Sequence, residues 1–389
     1  MNLLYALPPA ESRLPMKSVF HGFSSAQPDF AGKLAEFLGA DACVLANSAR
    51  TLLYFILMDL KNKARSEQNQ VLIPGYTCYS VAAATVRAGL KVALYDLDPS
   101  NFQPDMADVQ RKISGRTLAI VGQHLLGVPS DIQGLTGLAR DHGIHCIEDA
   151  AQSLDLFGSG SKLKMHAHFT LLSFGRGKPL PLGQGGALIS GNGADHAWIV
   201  RAIKALPCKN GSSFIPFAMQ IFSRPCFYWS LEKLPLGLGR TVYDPFFTVM
   251  AMSRAYQRMG EYALDELGRL NRHRSNLGKI YCQSFTKQDE GNNARETPAH
   301  VRYPVLVAQQ DRVRELAHYG VRRLYPQALC DLTVLKPELA DPGVNTPGAR
   351  QISRQLITFP THLGVSDRLA RKISDMAAEI FGDVSIVKY

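Results

Sequence analysis

Between about residues 42 and 190, short apolar runs alternate with stretches of helical spacing. The runs cover 42–46, 71–74, 91–95, 118–121, 144–148, 169–172 and 187–189. Four or five residues is a strand length, and the amphipathic stretches at about 49–60, 79–89, 105–113 and 131–141 are helix lengths. Strands and helices joined by short links predict an α/β fold, a parallel sheet wrapped by helices on both faces. Ligands of such sheets bind outside the carboxyl ends of the strands. Ser48, Thr77, His124, Asp149, Gln152, Ser173 and Lys178 all follow apolar runs. The pattern therefore predicts that they gather at one sheet edge.

Lys178 stands in the loop Ser173-Phe-Gly-Arg-Gly-Lys-Pro-Leu-Pro-Leu-Gly-Gln-Gly-Gly186, among five glycines and two prolines. Glycine lets a backbone approach a ligand, and proline stiffens the approach. An amine placed there serves as a point charge for a phosphate or as a nucleophile toward a carbonyl. Asn47-Ser48 caps a helix that begins near Ala49, and the unpaired first-turn N–H groups of such a helix attract anions. Asp149 is a carboxylate at a strand end. Alone it suits a helix cap or a turn; beside a heteroaromatic base it keeps a ring nitrogen protonated. Pyridoxal 5′-phosphate, with its aldehyde, pyridine nitrogen and phosphate, calls for all three groups.

The charge balance, 43 Lys and Arg against 33 Asp and Glu, gives +10, but the basic residues are scattered. Without zinc-finger spacing or an RNP-type aromatic motif, a generally basic surface, or an anionic substrate such as a nucleotide or phosphate, is expected rather than a nucleic acid. Seven cysteines with no CxxC pair fit reduced thiols and a cytoplasmic location, and no metal site is expected. No apolar run is long enough to predict a membrane span, and no signal peptide is evident. Residues 1–28 read as a proline-rich arm, 29–250 as a large domain and 251–389 as a smaller α+β domain. Within the large domain, 213–250 is rich in Phe, Pro, Leu and Met and is expected to form a subunit interface or a substrate wall, with peripheral membrane contact as the alternative. The smaller domain is expected to carry a long helix over 251–284, a polar loop over 285–297, a strand over 302–308 and helices over 311–319 and 366–381.

Five segments in order resemble the DegT/DnrJ/EryC1/StrS family of fold-type-I pyridoxal-phosphate enzymes. They are Val71-Leu-Ile-Pro74 through Thr77 with Asp96 and Asp98, His124-Leu-Leu-Gly127, Glu148-Asp-Ala-Ala-Gln152, Ser173-Phe174 with Lys178 and Gly185-Gly186, and Leu356-Ile-Thr-Phe-Pro-Thr-His362. The resemblance implies a large domain with a mostly parallel sheet, a smaller C-terminal α+β domain and a homodimer. It implies that Lys178 carries the cofactor and then moves a proton, that Asp149 pairs with the pyridine nitrogen, and that Gln152 lies by the phenolic oxygen. Ser173 and the Ser48-Ala49-Arg50 turn would hold the phosphate. The implied reaction moves an amino group from glutamate or glutamine to a nucleotide-linked keto-sugar. The alternatives are a dehydratase or other amine chemistry on the same cofactor, or a regulatory relative that has lost turnover. The chain departs from the family pattern at Arg50, at Gln184, and at Cys78, where an aromatic residue usually stacks on the cofactor ring, so that Tyr79 is a candidate substitute. Tyr243-Asp-Pro-Phe-Phe247 stands where the family carries an N-Y-R-M-like segment.

Overall fold

The computed structural model describes residues 6–10, 13–154, 166–190, 197–228, 241–286 and 297–388. Parts of the expected arm, residues 229–240 of the expected interface segment and most of the expected polar loop lie outside the described residues.

Each strand of the larger sheet is one of the apolar runs, and polar side chains cap several of the helices between them. Strand β1 (Ala42–Ala46) leads into helix α3 (Ala49–Lys63), whose N-cap Ser48 accepts the N–H of Thr51 through its side chain. Strands β2 (Gln70–Pro74) and β3 (Lys91–Tyr95) flank helix α4 (Tyr79–Arg87). Helix α5 (Met106–Lys112) precedes β4 (Thr117–Gln123), and helix α6 (Ile132–Asp141) precedes β5 (His145–Asp149). Asp105 and Asp131 cap these two helices by accepting N–H groups of their first turns. Strands β6 (Phe169–Ser173) and β7 (Gly186–Ser190) complete a seven-stranded sheet of order β1-β7-β6-β5-β4-β2-β3.

The sheet is parallel except for β7, which runs antiparallel to both β1 and β6. The reason lies in the connection. Residues 174–185 hold no helix, and a parallel crossover needs a dozen or more residues, usually with one. The lysine-bearing loop is therefore the return between two antiparallel strands. It tightens through left-handed Gly183 and Gly185, and a side chain at Gly186 would put its Cβ 2.3 Å from the Ala49 nitrogen. Only glycine lets β7 press against the first turn of α3.

Among the described residues, helices α1 (Met16–Gly22) and α2 (Phe30–Leu38) precede β1, and α7 (Ala197–Lys204) and α8 (Phe214–Phe222) come after β7. The long helix expected over 251–284 is two helices. Helix α9 (Arg254–Ala263) ends in a 3-10 turn at Leu264–Glu266, and α10 (Leu267–Thr286) follows. The break marks a change of packing partner. Met259 and Ala263 join Phe30, Phe174 and Leu182 beneath the larger sheet, whereas Leu277 and Tyr281 pack under the smaller one. By its packing α9 thus belongs with the larger domain.

The smaller sheet is antiparallel, in the order β11-β8-β10-β9, from β8 (Arg302–Val307), β9 (Arg322–Arg323), β10 (Leu356–Pro360) and β11 (Val384–Ile386). Helix α11 (Pro347–Gln355) precedes β10, and α12 (Asp367–Phe381) packs against α10. The stretch expected as a helix over 311–319 is a 3-10 helix, Gln310–Tyr319. Asp96, beyond the end of β3, accepts the N–H groups of Gly348 and Ala349 at 2.9 and 2.8 Å and so ties α11 to the larger domain.

Candidate active site

A cavity of about 350 Å³ opens at the carboxyl edge of the larger sheet. That is within the size range of small-ligand sites, roughly 300–1,000 Å³. Its walls include Ser48, Ala49, Arg50, Cys78, Asp149, Gln152, Ser173 and Lys178, along with Thr77 and His124. Residues scattered over the sequence meet there because successive parallel strands all end at the same edge.

The floor is fixed by hydrogen bonds that leave reactive groups available. Asp149 Oδ1 accepts the Ala151 N–H at 3.0 Å. Burial raises the Asp149 pKa above its ordinary value, and the charge of Lys178 works in the opposite direction. Gln152 Oε1 accepts the Leu126 N–H at 2.7 Å, so its amide NH2 is the end left for a ligand. Leu126 holds that orientation with a left-handed backbone, φ 57°.

His124 lines the cavity and also carries a structural network. Its Nδ1 accepts the Ser130 N–H at 2.9 Å. The ring proton therefore sits on Nε2 and points at Glu148 Oε1, 2.8 Å away. Thr170 Oγ1 donates to the other Glu148 oxygen at 2.6 Å. The buried carboxylate is thus paired on both oxygens, and the imidazole is locked in place.

The anion end lies at the start of α3. Ser48 Oγ takes the Thr51 N–H, and Thr51 Oγ1 donates to Asn47 Oδ1 at 2.6 Å. The other first-turn N–H groups have no partner within the helix. Gly186 pairs with both Ala46 and Ser173, which brings the ends of β1 and β6 to either side of one residue. The cavity thus holds a helix N-terminus, two serine hydroxyls, an amine and a buried carboxylate. That donor set fits the phosphate, aldehyde and ring nitrogen of pyridoxal 5′-phosphate.

Two expected residues behave differently from their expectation. Tyr79 does not line the cavity; its phenol accepts the Gln327 N–H at 3.1 Å and donates to the Gln327 carbonyl at 3.2 Å. Tyr76 holds Tyr325 in the same way, with both bonds at 3.1 Å. Two phenols thereby lace the 325–327 loop of the smaller domain onto the larger one, and Tyr79 is occupied by that task. Arg50 does line the cavity, but its guanidinium stacks 4.3 Å from the Phe247 ring and Nη1 reaches the Asp244 carbonyl at 3.4 Å. Arg87 stacks on the same ring at 4.5 Å and donates to the Phe247 carbonyl. Burial lowers the Arg50 pKa, and Asp244 raises it. Arg50 is thus engaged with the segment that replaces the expected N-Y-R-M-like one.

Sequence reasoning missed Gln123 and Tyr325 as cavity wall, whereas Thr241 and Val242 fall in the 213–250 segment expected to form an interface or a substrate wall. Gln123 ends β4 and had the same strand-end signal as its neighbours; its Nε2 donates to the Tyr76 carbonyl at 2.7 Å. Tyr325 follows a two-residue strand and has no such signal.

The sequence pattern described as the DegT/DnrJ/EryC1/StrS aminotransferase family matches residues 18–377. A 2-deoxy-scyllo-inosose aminotransferase of Micromonospora echinospora that uses L-glutamine is 31% identical over 182 residues, 47% of this chain and 43% of the relative. The UDP-2-acetamido-2-deoxy-3-oxo-D-glucuronate aminotransferase of Pseudomonas aeruginosa is 31% identical over 175 residues, 44% of this chain and 47% of the relative. The chain thus spans about half the length of the curated relatives it matches. Helicobacter pylori PseC, an aminotransferase involved in pseudaminic acid biosynthesis, superposes with a TM-score of 0.74 over 97% of this chain and 98% of its own, at 16% identity. At that identity the likeness speaks for the fold, which is the α/β fold-type-I architecture. With a family match across nearly the whole described molecule and this fold beneath it, the chain belongs to the DegT/DnrJ/EryC1/StrS aminotransferase family.

Proposed function

We propose that the protein is a pyridoxal-phosphate-dependent aminotransferase that moves an amino group from glutamate or glutamine to a nucleotide-linked keto-sugar. The observation that carries this reading is the convergence of Lys178, Asp149 and the Ser48–Ser173 cradle on one cavity. When bound, the cofactor supplies an electron sink for the carbon that loses or gains a proton. Lys178 would join the cofactor aldehyde and, once displaced by the amino donor, act as the base that carries the proton. Asp149 would hold the pyridine nitrogen protonated. A protonated ring nitrogen beside it would offset the burial that raises the Asp149 pKa and favour its charged form. The Gln152 NH2 would meet the phenolic oxygen, and the α3 N-terminus with Ser48 and Ser173 would seat the phosphate. Arg50 would act through the 241–247 segment, where it is already engaged.

The names of the relatives support an amino donor and a keto-sugar or keto-cyclitol acceptor. A cytoplasmic enzyme with access to free nucleotide sugars fits this reading. A homodimer fits it as well, since Val242 of the cavity wall is 67% exposed and Phe246, four residues further along the same segment, is 90% exposed, and a second copy would cover them. The test is a half-reaction screen. Protein loaded with cofactor should absorb in the visible range, and glutamate or glutamine should bleach that band. A UDP- or dTDP-linked keto-sugar should then restore it. A band that no amino acid changes would sink the proposal.

A further inference from the structure

A second apolar surface is formed by α1 and α8. The end of α1 approaches the start of α8, and the end of α8 approaches the residues just before α1. A Cβ on Gly22 would sit 2.2 Å from Ser213 Oγ, and the Gln220 amide brackets the backbone N–H and C=O of Leu14, both at 2.9 Å. Phe217 of α8 packs inward against the core. Phe214, Ile215, Ile221 and Phe222 are exposed on the same helix, at the spacing of one helical face. Met16, Phe20 and Phe23 are exposed on and just after α1. Phe20, Phe23, Phe214 and Ile215 are each between 58% and 68% exposed.

The charge around these side chains is one-sided. Residues 13–28 and 197–228 contain no Asp or Glu. Lys209 lies before α8, Arg224 after it and Lys17 on α1, and all three are exposed. This asymmetry decides between occupants. A two-fold self-association would lay the same patch on itself and bring these cations close to one another, with no carboxylate of residues 13–28 or 197–228 to meet them. An anionic lipid surface offers both things the patch lacks, an apolar medium for the aromatic side chains and negative charge for the rim.

We infer that α1 and α8 form a peripheral docking face for anionic membranes, with α8 lying in the plane of the interface and Lys17, Lys209 and Arg224 at headgroup level. The inference does not depend on the activity proposed above. On the inner side of α8, Ile215, Pro216 and Met219 line a cavity of about 430 Å³ that also touches Ser48 and Ser173. Docking would therefore bring the anion end of the candidate site close to the bilayer surface.

The experiment is flotation of the full chain with phosphatidylcholine vesicles, with and without phosphatidylglycerol, while the oligomeric state is measured in parallel. The chain should float with the anionic vesicles, less with the neutral ones, and less as salt rises. The triple variant F214S/I215S/F222S should bind at least about a hundredfold more weakly, since each large apolar side chain withdrawn from the interface loses a substantial transfer free energy. The pair K209E/R224E should lose about tenfold or more, whereas K279E, an exposed site on α10, should bind as the parent does. Because every substituted residue is exposed, far-UV circular dichroism should be unchanged. The inference is overturned if the chain stays in solution with every lipid, if it binds neutral and anionic vesicles equally, or if the triple variant changes only the oligomeric state.

Discussion

The cavity has two walls of different construction. The first, with Ser48, Asp149, Gln152 and Ser173, hangs from ends of adjoining sheet strands or from the residues directly after them. Backbone ladders and a buried core hold these positions, so the functional side chains need little support of their own. The second wall, with Tyr325, Thr241 and Val242, comes from loops distant in sequence and is held by side chains. The Tyr76 and Tyr79 phenols grip 325–327, and Arg50 and Arg87 grip the Phe247 segment. A wall built by the sheet is tolerant of change in any one anchor, whereas a wall built by four side chains depends on each.

The sharpest way to break this contrast is at Lys178. Under the proposed function Lys178→Ala should lower amino transfer by roughly a thousandfold or more, since it would remove both the nucleophile and the proton carrier. The melting temperature should hardly move, because the sheet rather than the lysine supports that wall. A variant that keeps full turnover would refute the assignment.

A smaller effect is expected where the smaller domain meets the sheet edge. His300 Nδ1 donates to the Leu126 carbonyl at 2.8 Å, and burial pushes the His300 pKa down to about 4 from an ordinary 6.5. Above pH 6.5 the side chain is neutral whether the chain is folded or unfolded, and its contribution is complete. As pH falls below 6.5 the unfolded chain takes up the proton first, so stability should decline by about 3 kcal/mol on reaching pH 4. Denaturant titrations across that window would measure it. His300→Gln keeps a donor for Leu126 and should flatten the profile; an unchanged slope would assign the loss to other groups.

The smallest effect tests the laced loop. Tyr79→Phe leaves the Gln327 N–H and C=O without their partner and should cost about 1–3 kcal/mol. If the second wall depends on its anchors, sugar-acceptor KM should rise while cofactor affinity stays near the parent value. A variant whose cofactor affinity falls as much as its acceptor affinity would show that the two walls act as one.

The same contrast explains what could be read from the sequence. Strand ends are marked by the switch from apolar to polar, so Asp149, Ser173 and the Ser48 cap could be located without coordinates. The antiparallel sense of β7 was available in principle, because the loop before it is too rich in glycine and proline to hold a helix. Tyr79 misled because adjacency to residue 78 said nothing about which way a helical side chain turns. Tyr325 was out of reach, since its position depends on a contact between residues 76 and 325 that no local pattern encodes. The break in the 251–284 helix was hidden for a related reason: both halves have the same periodicity and differ only in the domain they pack against.

Gly186 also sets an order of events in time. The edge strand β1 is made early, but it pairs with β7, and the two cradle serines flank a residue that emerges from the ribosome long after the first of them. Until β7 is synthesised and returns between β1 and β6, Ser48 has no counterpart and the anion end does not exist. Closing such a distant pairing is slow compared with forming the local helices. Under the proposed function, cofactor capture by a nascent chain would therefore wait for the turn that carries Lys178 to be complete, which would couple acquisition of the lysine to acquisition of the phosphate seat.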